Sequence, residues 1–252
     1  MPRATAGWLK VIECNLRASR SFPFVSKVTG NNFIREATRR MLGVRGPVQN
    51  RALDLDYVAV KAAQFSFSRL AGADPTLGVE MASTGEVGCF GNDLNEALLK
   101  ALLATGFKFP KKGVLLSLGP AIEKTRFLDD AKILRSMGLA IYATPGTFDV
   151  LKEHGIECEV AYKNSDKQAP AAVTLMNEGK IDLVINIPRS YDRDGRPDGY
   201  FIRRRAVDLN IPLITNMQLA RAVVEAIEKY DRDDLEILDW KSYLERRSQN
   251  LV

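Results

Sequence analysis

From residue 113 to residue 230 short apolar runs alternate with amphipathic ones. GVLLSL, LAIYAT, IECEVAY, IDLVINI and IPLITN are too short for helices and rich in branched aliphatic residues, so each reads as a strand. Between and after them, EKTRFLDDAKILRSMG, TFDVLKEHG, APAAVTLMNEG, YFIRRRAVDLN and MQLARAVVEAIEKY carry apolar positions at helical spacing. Strands with near-continuous apolar character need cover on both faces. Their alternation with helices therefore specifies a doubly wound parallel sheet of the α/β class.

The first hundred residues lack this rhythm. Residues 8–14 read as a strand, and NNFIREATRRMLG as a helix with Phe33, Ile34, Ala37, Met41 and Leu42 on its apolar face and Gly43 as its stop. Residues 44–54 read as a loop. DYVAVKAAQFSFSRL and GVEMASTGEVGCFG read as extended segments. DLNEALLKALLATG predicts a helix capped by Asp93, with Glu96 three residues on and Gly106 ending it. FKFPKKG interrupts the pattern and reads as a linker. The expected organisation is residues 1–108, then a doubly wound domain over 109–230, then a charged tail over 231–252 with one short helix.

Composition narrows the function classes. The chain has 252 residues, a net charge of +5 and 46% hydrophobic residues, as in an ordinary globular protein. No apolar run approaches the ~18 residues that would span a bilayer. MPRATAGWLK lacks the pattern of a secretory signal. Cys14, Cys89 and Cys158 lack metal-ligand spacing and read as buried free thiols in a reducing, cytoplasmic compartment. His154 is the only histidine, which removes His-pair zinc sites and argues against a Ser-His-Asp triad. The basic excess suits a phosphorylated small ligand but is too scattered for nucleic acid. Its densest run, Arg203 to Arg205, reads as a solvated helix face.

One candidate site lies near the amino terminus, in VIECNLRASRSFPFVSK. Glu13 and Asn15 are two apart on a strand and so share a face. A carboxylate beside an amide oxygen is a hard ligand set suited to Mg²⁺. Arg17 and Arg20 follow, and guanidinium forks grip phosphate. Such a set suits phosphoryl transfer, and a salt-bridged surface loop is the alternative.

KVIECNLRASRSFPFVSK closely resembles the end of the second ATP-grasp domain of the carbamoyl-phosphate synthetase large subunit. VKAAQFSFSRLAGADPTLGVEMASTGEVGCFG resembles the segment that follows it, and the likeness runs on through the carboxy-terminal allosteric domain. The phrases look more like the pyrimidine-pathway enzymes than the urea-cycle type. The resemblance implies that Glu13 and Asn15 hold Mg²⁺ at the ATP phosphates and that Arg17 and Arg20 face those phosphates. It implies ATP and Mg²⁺ as cofactors of the intact enzyme. It also implies two partners, the remainder of the large subunit and a glutamine amidotransferase. The family's adenine pocket and phosphate-covering loop come from sequence upstream of this strand, so the chain is expected to be a carboxy-terminal piece that cannot phosphorylate carbamate alone. Residues 1–30 are then expected to be a sticky half-site prone to self-association.

The second candidate site lies where LAIYATPGTFDVLKEHG passes from strand to helix. Thr144, Pro145, Gly146 and Thr147 sit at the carboxyl edge of a parallel strand, where a helix N-terminus offers N–H groups to an anion. A capped turn is the alternative. Lys163, Asn186 and Arg189 end other strands and Lys124 opens the first helix, so basic and amide groups converge on one edge. Residues 112–230 look like a methylglyoxal-synthase-like domain. That resemblance implies that Lys124, Thr144, Thr147, Lys163 and Asn186 contact a nucleotide effector. Lys163 suits UMP or UTP, with IMP or phosphoribosyl pyrophosphate as further candidates, where the urea-cycle type has tryptophan and binds N-acetylglutamate. Pro188 departs from a threonine found in some bacterial enzymes. Residues 55–110 are the expected mechanical link to the kinase site. The competing readings are a stand-alone effector module, a methylglyoxal-synthase-like lyase using Asp149 or Asp182, and nucleic-acid binding through the arginine run.

Overall fold

The computed structural model describes residues 21–44, 46, 55–76, 83–188 and 198–249. The chain divides into two compact units, Met1–Asp56 with Asp239–Val252, and Tyr57–Leu238. The expected strand over residues 8–14 lies outside the described residues.

In the first unit, α1 (Ser21–Thr29) and α2 (Phe33–Met41) are joined through Gly30, whose φ of +69° suits glycine. Asn32 caps α2 by accepting from the Arg35 N–H at 2.9 Å. α10 (Trp240–Gln249) packs on α1, with Tyr243 and Val28 buried. It is the helix expected in the charged tail. α1 escapes the helical pattern because Pro23 interrupts it, although proline is tolerated in a first turn. α2 buries none of its side chains, and Met41 is 86% exposed.

In the second unit, β1 (Val58–Gln64) pairs antiparallel with β2 (Gly85–Gly91), and α3 (Leu94–Ala104) lies across both. A Cβ on Gly91 would stand 2.5 Å from the Ala97 nitrogen, so only glycine permits this approach. Asp93 caps α3 as expected, accepting from the Glu96 N–H at 2.9 Å. Its other oxygen accepts from Lys229 Nζ at 2.6 Å and the Tyr230 hydroxyl at 2.8 Å, which ties α3 to the end of α9 (Met217–Lys229).

The remaining strands are β3 (Gly113–Leu118), β4 (Ala140–Ala143), β5 (Glu159–Val160), β6 (Leu183–Ile187) and β7 (Leu213–Ile214). They form one sheet in the order β5-β4-β3-β6-β7, parallel throughout. β3 and β6 are buried along their whole length, as their unbroken apolar sequences require. Leu116 and Ile185 face a core completed by Leu134, Leu151 and Val223 from α5 (Leu128–Ser136), α6 (Pro145–Glu153) and α9. Leu115 and Val184 face the other way, onto Leu175 of α7 (Ala172–Asn177) and Ile202 and Ala206 of α8 (Asp198–Asp208). The expected doubly wound sheet is therefore present.

Three local readings differ. The helix foreseen from Glu123 to Gly138 is two, α4 (Ala121–Arg126) and α5, because Phe127 is drawn fully into the core between them. FKFPKKG is pinned rather than loose. Phe107 and Phe109 pack on the core, and Asp182 accepts from the N–H groups of Lys111, Lys112 and Gly113 at 2.8, 3.0 and 3.1 Å. The arginine run is not a solvated face: Arg203 is 2% and Arg204 8% exposed. Cys89 and Cys158 are free thiols as expected but only half-buried.

Asp93→Ala is expected to cost about 1–2 kcal/mol at neutral pH, read by urea unfolding, because the α3 cap is lost. Burial alone would raise the Asp93 carboxyl. Hydrogen bonds from Lys229, the Glu96 backbone and Tyr230 outweigh it and lower the pKa from 3.8 to about 2. A carboxyl held below its unfolded value stabilises the fold above that value and stops doing so as pH falls. The stability gap between wild type and Asp93→Asn is therefore expected to narrow as pH falls from 3.8 towards about 2.

Candidate functional site

The parallel register brings the polar residues of the second candidate site to one edge. Leu116 pairs with both Ala143 and Ile185, so Ser117 stands beside Asn186, and Thr144 follows β4 at the same level. The Thr144 N–H donates to the Leu116 carbonyl at 3.0 Å. Alternation sends Leu116 to one core, and sends Ser117 and Asn186 to the face that α8 covers. Ser117 was not foreseen, since it looks like a polar lapse in an apolar strand.

Lys124 reaches this edge from α4. It is 9% exposed, and its Nζ donates to the Gly146 carbonyl at 2.6 Å. A Cβ at Gly146 would sit 3.0 Å from that Nζ, so the glycine admits the cation. Thr144 is buried before the first turn of α6, with Pro145 as the first helical residue. Thr147 is fully buried. Its Oγ1 accepts from the Leu118 N–H at 3.1 Å and lies 3.5 Å from Thr144 Oγ1. Its hydroxyl thus clasps the end of β3 to the α6 turn.

Lys163 stands half-exposed after β5, and its N–H donates to Asp166 at 2.9 Å. The same loop is fastened to the start of α8, where Asp198 accepts from the Ser165 N–H and hydroxyl. Asn186 is 2% exposed, and its Oδ1 accepts from Arg203 Nη1 at 2.8 Å. Arginine only donates, so this bond assigns the amide: Oδ1 faces Arg203 and the NH₂ group faces elsewhere. Arg203 also donates to Asp74 through Nε at 2.7 Å and through Nη2. Burial alone would raise the Asp74 carboxyl, but the bonds to Arg203 hold it below its ordinary value.

The edge thus carries donors: the Lys124 ammonium, the Thr144 hydroxyl and the Asn186 amide, with Lys163 on the adjoining loop. Glu123, next to Lys124 on α4, is paired with Arg126 through Oε1 at 3.0 Å, while its Oε2 is buried without a hydrogen-bond partner among the described residues. Asp182 lies at the opposite, amino edge and is engaged by three backbone N–H groups, while Asp149 is exposed on α6. Such a site suits an anion held in place rather than a base abstracting a proton. His154 ends α6 with Nδ1 2.8 Å from the Val150 carbonyl, away from this edge's donors. Glu13, Asn15, Arg17, Arg20 and Arg189 lie outside the described residues. Among the described residues there is no cluster of three or more His, Cys, Asp or Glu suited to a metal, and no helix is long and apolar enough to cross a membrane.

Comparison with known proteins matches residues 126–215 to the family of MGS-like domains. This stretch is similar to MGS-like domains. It contains Thr144, Thr147, Lys163 and Asn186, with Lys124 just before it. The chain is 51% identical over 232 residues to multifunctional protein URA2 of Saccharomyces cerevisiae, covering 88% of this chain and 10% of that protein. It is 50% identical over 240 residues to multifunctional protein pyr-3 of Neurospora crassa, covering 91% and 13%. It is 44% identical over 234 residues to the mitochondrial ammonia-type carbamoyl-phosphate synthase of Homo sapiens, covering 89% and 16%. The chain is thus homologous to the carboxy-terminal, MGS-like part of the carbamoyl-phosphate synthase large subunit, and spans about a tenth to a sixth of the length of these relatives.

Thr147→Val keeps the shape of the side chain and removes the acceptor for the Leu118 N–H. It is expected to lower stability by about 1–3 kcal/mol in urea unfolding, the cost of a buried unpaired donor.

Proposed function

We propose that the MGS-like domain binds a phosphorylated nucleotide effector of a pyrimidine-pathway carbamoyl-phosphate synthase. The observation that carries this reading is the convergence of Lys124, Thr144 and Asn186 on the carboxyl edge of the sheet, with Lys163 on the loop beyond β5. Two ammoniums and several neutral donors suit phosphate. Lys163 is the ligand-selecting residue, and UMP or UTP is the expected class, with IMP and phosphoribosyl pyrophosphate as alternatives. Thr147 shapes the loop that presents Thr144.

In the whole protein, ATP-dependent formation of carbamoyl phosphate from bicarbonate and ammonia or glutamine is the activity regulated. Glu13 and Asn15 are assigned to Mg²⁺ there, and Arg17 and Arg20 to the ATP phosphates. The remainder of the synthase and a glutamine amidotransferase are the partners, in the cytoplasm. The multifunctional relatives at 45–51% identity and the ammonia-type synthases at 44–45% lie close together, so Lys163 is what favours the pyrimidine branch. A lyase reading is disfavoured, because Asp182 caps backbone groups at the far edge and Asp149 is exposed on α6.

Calorimetric titration of the purified chain with UMP, UTP, IMP, phosphoribosyl pyrophosphate and N-acetylglutamate tests the proposal. A nucleotide is expected to bind, and Lys163→Ala to weaken it at least about tenfold, as for a lost charge-assisted contact. Binding of N-acetylglutamate alone would move the chain to the other branch. Absence of binding by every ligand would remove the reading.

A further inference from the structure

We propose that Arg203 is a positioning residue which aims the Asn186 NH₂ group at the candidate effector edge and, through Asp74, couples that edge to the segment Ser66–Thr76. The coupling is energetic and belongs to the fold itself. Its use by a ligand rests on the effector reading above.

The guanidinium of Arg203 is almost completely buried, with 3% of its side chain exposed. It bridges Asn186 Oδ1 on one side and both oxygens of Asp74 on the other. The group is planar and rigid, so its two sets of partners cannot shift independently. Gly199, one turn earlier on α8, makes room for it: a Cβ there would come within 2.8 Å of Arg203 Nη1 and 3.4 Å of Asn186 Oδ1. Asn186 has both a donor and an acceptor, and Arg203 takes the acceptor. The end of the Asn186 amide that Arg203 leaves over is the NH₂ donor, which calls for an anionic or carbonyl oxygen as its partner.

At the other end, Ser66–Thr76 lies between β1 and β2 and has few hydrogen bonds of its own. They run from the N–H groups of Arg69, Leu70 and Ala73 to the carbonyls of Ser66, Phe67 and Leu70. Among the described residues, the Ser66 and Thr84 hydroxyls are also bonded at 3.0 Å, and the other hydrogen bonds come from α8 or from Asp74. Arg204 Nη1 donates to the carbonyls of Phe67, Leu70 and Ala73 at 3.1, 3.1 and 3.2 Å. The Tyr200 hydroxyl donates to the Gly72 carbonyl at 2.9 Å. Asp74, besides binding Arg203, accepts from the Thr76 N–H at 3.2 Å and its hydroxyl at 3.0 Å. The segment is thus held by one face of α8, and that same face contacts Asn186. Coupling between two sites needs a shared element that both bias, and α8 is such an element.

Amide hydrogen exchange on the full chain tests the proposal, with the N–H groups of Arg69, Leu70, Ala73 and Thr76 as reporters. Without ligand, Asn186→Leu is expected to speed exchange at these reporters about fivefold, the scale of coupling within one hydrogen-bonded network. Gly199→Ala, which crowds Arg203 and removes no hydrogen-bonding group, is expected to do the same. Thr144→Val, at the same edge but off the network, is expected to leave them unchanged. With UMP as the probe, the reporters are expected to slow in wild type and not in Asp74→Asn, whose affinity for UMP falls by the factor that the coupling contributes. Unchanged reporter exchange in folded Asn186→Leu and Gly199→Ala would overturn the coupling. Acceleration without ligand, combined with no binding of UMP, would instead uphold the coupling and defeat the effector reading.

Discussion

The parallel register of β3 between β4 and β6 is the constraint on which the rest depends. It is set by strands that are apolar on both sides, so a shift of one residue along β3 would exchange the residues facing the two cores. With the register in place, every strand ends at the same edge, and residues far apart in sequence arrive together there. Thr144, Ser117 and Asn186 owe their proximity to this pairing and not to any local motif. The site is polar because the strands stop, and the chain's donors are placed where the apolar pattern ends.

Two buried cations then give the edge its character. Lys124 is held by a backbone carbonyl and Arg203 by a carboxylate and an amide oxygen, so each has partners in the folded state. A buried charge is costly unless it is hydrogen-bonded, and both are. Arg203 and Asp74 are 129 residues apart, and their pairing fastens the loop between β1 and β2 to the helix behind β6. The antiparallel pair and the parallel sheet thereby share a polar joint, in addition to the apolar one between α3 and α9.

Much of the fold was legible in the sequence. The alternation of apolar runs and amphipathic segments specified the sheet, and Asp93, Gly106 and Gly138 marked helix ends where they occur, the two glycines at positive φ. These signals are local, so a single chain carries them in full. Phe127 was misread because a helix-compatible sequence was broken by the pull of the core, which no window shows. Arg203 and Arg204 were misread for a related reason. A charge run is usually solvated, and what draws these two inward is a set of acceptors in residues 67–74. Of the foreseen site, Thr144 and Asn186 lie where strands end, while Lys124 and Thr147 lie on the helices that follow β3 and β4. Thr147 shows the limit of reading a site from such positions, for its hydroxyl serves the Leu118 backbone.

Asp182 adds a different kind of consequence. By accepting from three consecutive N–H groups at the amino edge, it acts there as a resident anion carried by the chain itself. An intramolecular carboxylate has an effective concentration no dilute solute can match, so that cluster of amides is closed to competition from dissolved anions. The two ends of one sheet therefore differ in how their donors are satisfied. One is served by a single carboxylate, and at the other Lys124, Thr147 and Asn186 are each tied to a different neighbour in the fold.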